Sequence, residues 1–232
     1  MNQKNEAIKS PEQIIPQFHF NLESEEESRI KVEAYEQEQE KIRNSAKIQV
    51  YHESGVPKRY WDESFETWKP RNVDDDKRLA KIMEYANREK NDCVLLLLGP
   101  KGLGKTHLGT SIIREVGGTF TSSEEMIFKF EAAMDYSSDI SRLSLMNFYS
   151  STKMLVIDEI GRSNQQQKES YCLNLILRKR YENLLPTVLI SNLKKEDLLK
   201  SLGEAVVDRL IETCEAVEFI GESYRIEKRK IA

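Results

Sequence analysis

Apolar residues along this chain fall into two kinds of run, and their alternation predicts the fold class. Unbroken stretches at 94–98 (Val, then four Leu), 154–157 (Met-Leu-Val-Ile) and 187–190 (Thr-Val-Leu-Ile) have the length of strands buried on both faces, and 119–121 adds a shorter candidate. Between them the apolar positions recur at helical spacing. This holds for 73–90 (Leu79, Ile82, Met83, Tyr85, Ala86), 107–116, the stretch through Met126, Ile127, Phe130 and Met134, 140–149, 165–183 (Leu173, Ile176, Leu177), 193–202 and 204–212. Punctuation agrees with these bounds: Gly117-Gly118 ends one helix, Ser122 to Glu125 has the form of a capping box, Ser137 and Ser138 interrupt, and Pro186 stops another helix. Strands alternating with helices in this way predict an α/β domain with a parallel sheet flanked by helices.

The first fifty residues follow a different pattern. Residues 1–22 are polar, are broken by Pro11 and Pro16, and carry a small apolar cluster at Ile14, Ile15, Phe18 and Phe20; they read equally as a disordered tail or as a docking peptide for a partner groove. Residues 23–48 read as a charged helix, with Glu25, Glu26 and Glu27 at the front and Lys41, Arg43 and Lys47 at the back, the polarity that the helix dipole favours. Its apolar stripe (Ile30, Ala34, Tyr35, Ile42, Ala46) is thin, which suits a solvated arm or a narrow contact with one partner helix. A turn at 54–57 (Ser-Gly-Val-Pro) then marks the boundary, so 1–50 is expected to be an arm and 51–232 a folded domain. Tyr60, Trp61, Phe65 and Trp68 follow closely and suit either core packing or the cover of a nucleotide base.

Candidate chemistry begins where the first strand ends. Gly99, Pro100, Lys101, Gly102, Leu103, Gly104, Lys105 and Thr106 form a complete G-x-x-x-x-G-K-S/T loop, followed by His107 and a helical pattern. Glycines let the backbone turn its N–H groups inward, and the helix start brings its positive end to the same hollow, which fits a triphosphate. Lys105 supplies a point charge to the β and γ phosphates, and the Thr106 hydroxyl is placed to ligate Mg²⁺. The 154–157 strand ends in Asp158 and Glu159. Parallel strands present ligand groups at their carboxyl ends, so Asp158 is expected to hold Mg²⁺ and Glu159 to orient and deprotonate an attacking water. Asn192, just past the 187–190 strand, can reach that water or can cap the next helix.

Composition narrows the setting. With 232 residues the chain holds one nucleotide-binding domain plus a modest extension, and a net charge of -4 excludes a global polycation. Cys93, Cys172 and Cys214 make no C-x-x-C pair, so no zinc site or disulfide framework is indicated. The absence of an apolar leader core in 1–10, and of any run near the ~18 apolar residues of a membrane span, leads to the expectation of a cytoplasmic protein without a membrane partner.

GPKGLGKTHL at 99–108, LVIDEIG at 155–161, Ser191-Asn192, Leu202-Gly203-Glu204, Val207-Asp208-Arg209-Leu210 and Ser223-Tyr224-Arg225 resemble, in this order, the bacterial and phage DnaC-type helicase loaders of the AAA+ superfamily. The resemblance starts at the 54–57 turn, includes Phe65-Glu66-Thr67-Trp68, and runs to about Arg225. It implies a P-loop AAA+ domain and a weak, assembly-dependent ATPase that delivers a ring-shaped replicative helicase of DnaB type onto single-stranded DNA. It also implies that 99–106 is Walker A, that Asp158 and Glu159 are Walker B, and that Asn192 is the sensor 1 residue. Arg209 is implied as an arginine finger acting in trans on a neighbouring copy, and Arg225 as the sensor 2 arginine. Single-stranded DNA contact is expected from the helices between the Walker motifs, where Phe128, Lys129, Arg142, Phe148 and Tyr149 combine charge with flat rings. Two departures stand out: the amino-terminal region has no cysteine-rich zinc module, leaving helicase docking to the 1–50 arm, and no separate lid follows Arg225. The same fold also serves transposase-helper ATPases that bind duplex DNA, and a third reading is an ATP-binding adaptor that restrains a replication protein.

Overall fold

A computed structural model describes residues 25–89, 92–134 and 139–224. The 1–22 segment with its Ile and Phe cluster, Ser137, Ser138, Arg225 and the Arg209 side chain lie outside the described residues. The chain divides into two units, Met1–Asn44 and Ser45–Ala232. In the first, the described residues belong to α1 (Glu25–Glu53), and Ile30, Val32, Tyr35 and Ile42 are exposed. This helix runs past the expected 48, because Tyr51 is buried in the second unit, its hydroxyl donating to the Tyr60 carbonyl at 2.8 Å.

The second unit continues with a 3-10 turn at Lys58–Tyr60 and α2 (Val73–Ala86). There follow β1 (Val94–Leu98), α3 (Lys105–Val116), β2 (Thr119–Ser122), α4 (Ser123–Ala132) and α5 (Arg142–Ser151). The remainder is β3 (Leu155–Ile160), α6 (Gln166–Glu182), β4 (Thr187–Ser191), α7 (Lys195–Leu202), α8 (Glu204–Thr213) and β5 (Cys214–Glu218). All strand pairs are parallel, in the order β2-β3-β4-β1-β5. The parallel sheet flanked by helices is therefore as expected, with one strand more than the pattern predicts.

Both faces of the sheet are covered, which is why its strands read as continuous apolar runs. Leu95, Leu97, Val156, Val188 and Ile190 pack with α2 and α3 residues such as Ile82, Tyr85, Leu108 and Ile112. Leu96, Leu98, Leu155, Ile157 and Leu189 pack on the other face with Met126, Tyr149, Leu173, Ile176 and Leu198. Leu95 to Leu98 are all buried, and each such leucine contributes roughly 1.5–3 kcal/mol. Of the expected capping box, the N-cap bond forms: Ser122 Oγ accepts the Glu125 N–H at 3.1 Å and starts α4 at the tip of β2, while the Glu125 carboxylate pairs with Lys129.

Both sheet edges form hydrogen bonds with other parts of the same unit. Along β5, Arg78 donates to the Glu218 carbonyl at 2.7 Å and Lys81 to the Ala216 carbonyl at 3.4 Å. Along β2, the Phe120 N–H donates to the Ser54 carbonyl at 2.8 Å.

Candidate nucleotide site

Strand order decides what meets at the carboxyl ends. β4 lies between β1 and β3, so the residue after β4 stands between the glycine loop after β1 and the acids that end β3. Asn192 is that residue, and its Oδ1 accepts a hydrogen bond from Lys105 Nζ at 3.0 Å. It does not cap α7, whose N-cap is Lys194.

Lys105 is only 4% exposed, and its ammonium also donates to the carbonyls of Gly99 at 2.6 Å and Pro100 at 2.7 Å. Three acceptors match its three N–H donors. Burial pulls its pKa down to about 8, against the opposing pull of the Asp158 carboxylate. Leu103 is buried in the core, which fixes the loop from below, whereas Lys101 and Pro100 face solvent.

The two acids reach the same side through a backbone irregularity. Ile157 pairs with Leu189 and Ile160 with Ser191, three steps on β3 against two on β4, so β3 carries one extra residue. Glu159 takes the left-handed φ of 60° at this bulge. Leu155, Ile157 and Ile160 consequently share one core face, while Asp158 and Glu159 both line the cleft. Asp158 Oδ2 accepts the Thr106 hydroxyl at 2.7 Å, and Oδ1 accepts the Glu159 N–H at 2.6 Å. Burial pushes the Asp158 carboxyl above its ordinary range, and these two donors oppose the shift. Glu159 is exposed, and its carboxylate is held by Arg162 at 2.8 Å.

The cleft has a volume of about 570 Å³, and its far wall comes from the 57–69 segment, including Pro57, Tyr60 and Trp68. Trp68 and Phe65 are buried, so the aromatic cluster serves the core, while Tyr60 and Trp68 also face the cleft. His107 lines the cleft too, but its ring is held by the wall: Nδ1 lies 2.6 Å from Glu63 Oε2 and Nε2 lies 2.7 Å from the Ser64 carbonyl. Tyr224, Arg162, Lys69 and Ser122 also line the cleft, and spacing alone did not single out any of them. In the sequence Ser223-Tyr224 stands only as the flank of Arg225, and Ser122 only as a helix cap. Between Thr106 and Asp158 the cleft presents two hard oxygens, a donor set that fits Mg²⁺ carried in by a triphosphate.

Of the ring-and-charge set between the Walker motifs, Phe128 (54%) and Phe148 (52%) are exposed and Tyr149 is fully buried. Lys129 pairs with Glu125 at 2.7 Å, and Arg142 lies 6.0 Å from the Tyr171 ring centroid. No helix among the described residues is long and apolar enough to cross a membrane.

Comparison with known proteins places these features in a lineage. Residues 24–232 match the family described as IstB-like ATP binding protein. The replicative helicase loader DnaC of Buchnera aphidicola subsp. Baizongia pistaciae is 26% identical over 210 residues, covering 86% of this chain and 84% of that protein. DnaC of Escherichia coli K12 is 28% identical over 193 residues, covering 76% and 78%. Among solved structures, that of the DnaC helicase loader superposes with a TM-score of 0.62 at 26% identity, covering 71% of this chain and all of the other.

Proposed function

This chain belongs to the IstB-like ATP-binding protein family, of AAA+ type, and we propose that it hydrolyses ATP to deliver a replicative DNA helicase onto single-stranded DNA. The observation that carries the reading is the similarity to proteins named replicative helicase loader over 76% to 86% of this chain, which spans both the loop and the acidic strand. The geometry supports a hydrolytic site. The loop amides and Lys105 bind the phosphates, with Lys105 exchanging the Gly99 and Pro100 carbonyls for phosphate oxygens. Thr106 and Asp158 would hold Mg²⁺, which when bound neutralises phosphate charge. Glu159 accepts the proton of the attacking water once its carboxylate leaves Arg162, and Asn192 orients that water from between the loop and the acids.

Arg209, supplied in trans by a second copy, and Arg225, acting on the chain's own nucleotide, complete the proposed site and tie turnover to assembly. The 1–50 arm is the proposed helicase-docking region, and a bacterial or phage-infected cytoplasm the setting. Glu159→Gln tests the chemistry: MgATP binding is expected to persist while steady-state turnover falls by ~10²-fold or more, and unchanged turnover removes Glu159 from the mechanism.

The match to the IstB-like ATP binding protein family is also compatible with a second reading, a transposition helper that acts on duplex DNA. Binding competition between single-stranded and duplex oligonucleotides in the presence of MgATP separates the two, a strong preference for duplex supporting the helper.

A further inference from the structure

The segment that follows β5 lies against the glycine loop. Phe219 donates its N–H to the Leu98 carbonyl at 2.8 Å, and Tyr224 donates its N–H to the Gly102 carbonyl at 2.9 Å. A Cβ at Gly99 would stand 2.2 Å from the Phe219 carbonyl oxygen, and one at Gly102 would stand 2.0 Å from Ser223 Oγ. Two loop glycines are thus needed for this contact as well as for the turn.

A buried carboxylate holds the segment there. Asp75, in the first turn of α2, is 3% exposed, and its N–H is capped by Asn72 Oδ1 at 2.9 Å. Its carboxylate accepts Arg78 NH1 at 2.7 Å and the Arg71 N–H at 3.1 Å, and faces Arg71 Nε at 3.5 Å. Both guanidinium groups then reach onward: Arg78 Nε donates to the Glu218 carbonyl and Arg71 NH1 to the Glu222 carbonyl, each at 2.7 Å. Arg71 also lies 3.9 Å from the centroid of the Tyr224 ring, whose hydroxyl donates to the Lys69 carbonyl at 3.0 Å and lies 3.4 Å from Asp75 Oδ2. Tyr224 and Lys69 line the cleft. The path runs from one buried charge through two planar cations to the carbonyls at both ends of 218–222, and from Tyr224 to Gly102.

We infer that Asp75 is a positioning residue for nucleotide binding: through Arg71 and Arg78 it braces residues 218–224 against the loop that receives the phosphates. The inference rests on the cleft being an ATP site. A loop already held in shape loses less freedom when the phosphates arrive, so the brace acts as affinity.

The test titrates MgATP into the full-length wild type, Asp75→Asn and Arg71→Ala, and follows amide hydrogen exchange at Phe219 and Tyr224. Asp75→Asn keeps the shape but removes the charge that orients both arginines, and Arg71→Ala leaves Asp75 paired with Arg78 should the first variant not fold. Each folded variant is expected to bind MgATP about tenfold more weakly, with those two amides exchanging about tenfold faster while β4 amides keep their protection. Ile176→Val, in the core cluster on the opposite face, is expected to lower the melting temperature and change neither readout. Wild-type binding with unchanged affinity and exchange in Arg71→Ala overturns the brace alone. No binding by wild type overturns the ATP site and the brace with it.

Discussion

Lys105 carries its charge where water scarcely reaches, and this makes the site sensitive to pH. Its pKa of about 8 in the folded chain lies below the ordinary 10.5, so the unfolded chain holds more protons between these values and this group adds stability as pH rises from 8 to 10.5. Triphosphate binding has the opposite preference, because phosphate charge favours the ammonium and raises its pKa. Below pH 8 both states are protonated; above it, binding must take up a proton. MgATP affinity is therefore expected to fall as pH rises through about 8, with proton uptake visible by calorimetry in buffers of different ionisation enthalpy. A flat profile between pH 7.5 and about 9 would contradict this account of Lys105. The loop lysine was legible in the sequence because its motif has fixed spacing. Asp75 was not, since it sits in a run of three aspartates that reads as the acidic start of a helix.

At the scale of elements, α4 and α5 carry aromatics whose roles separate by burial. Phe128 and Phe148 face solvent, while Tyr149 packs against Phe130 with ring centroids 6.4 Å apart. The double substitution Phe128→Ala with Phe148→Ala is expected to weaken single-stranded DNA binding several-fold while changing stability by less than about 0.5 kcal/mol. Tyr149→Ala is expected to destabilise the fold by about 3–5 kcal/mol in urea melts, and equal losses of DNA binding and stability for all three would remove this division. Burial of this kind cannot be read from composition: Phe148 and Tyr149 are neighbours, and only the helix phase puts one outside and the other in the core. β5 escaped the pattern for a related reason. Cys-Glu-Ala-Val-Glu is short and half polar, as an edge strand can be when only one side of it needs a partner. The bulge in β3 was equally hidden. Alternation along 155–160 would send Asp158 and Glu159 to opposite faces, and only the pairing with β4 reveals the extra residue.

For the molecule as a whole, the unit Ser45–Ala232 contains the sheet, both core clusters and every described residue of the cleft. A chain beginning at Ser45 is therefore expected to melt cooperatively and to bind MgATP within about threefold of the full-length protein, a difference below about 1 kcal/mol. If the arm docks the helicase, the same truncation loses co-purification with the replicative helicase of its host, and retained co-purification assigns docking to the domain instead. The strand-and-helix order, the loop and the acids could be read from the sequence because each follows from local spacing, whereas spacing left Asn192 open between the cleft and a helix cap. The order β2-β3-β4-β1-β5, which brings them together, is a long-range property of the fold. The basic side chains of α2 that occupy the free carbonyls of β5, together with Ser54 against β2, have a bearing on crowding. They leave fewer edge groups for a neighbouring strand to zip onto, so concentrated material should be less prone to fibre growth from the sheet, and a ring of copies is better built by apposing helices and loops.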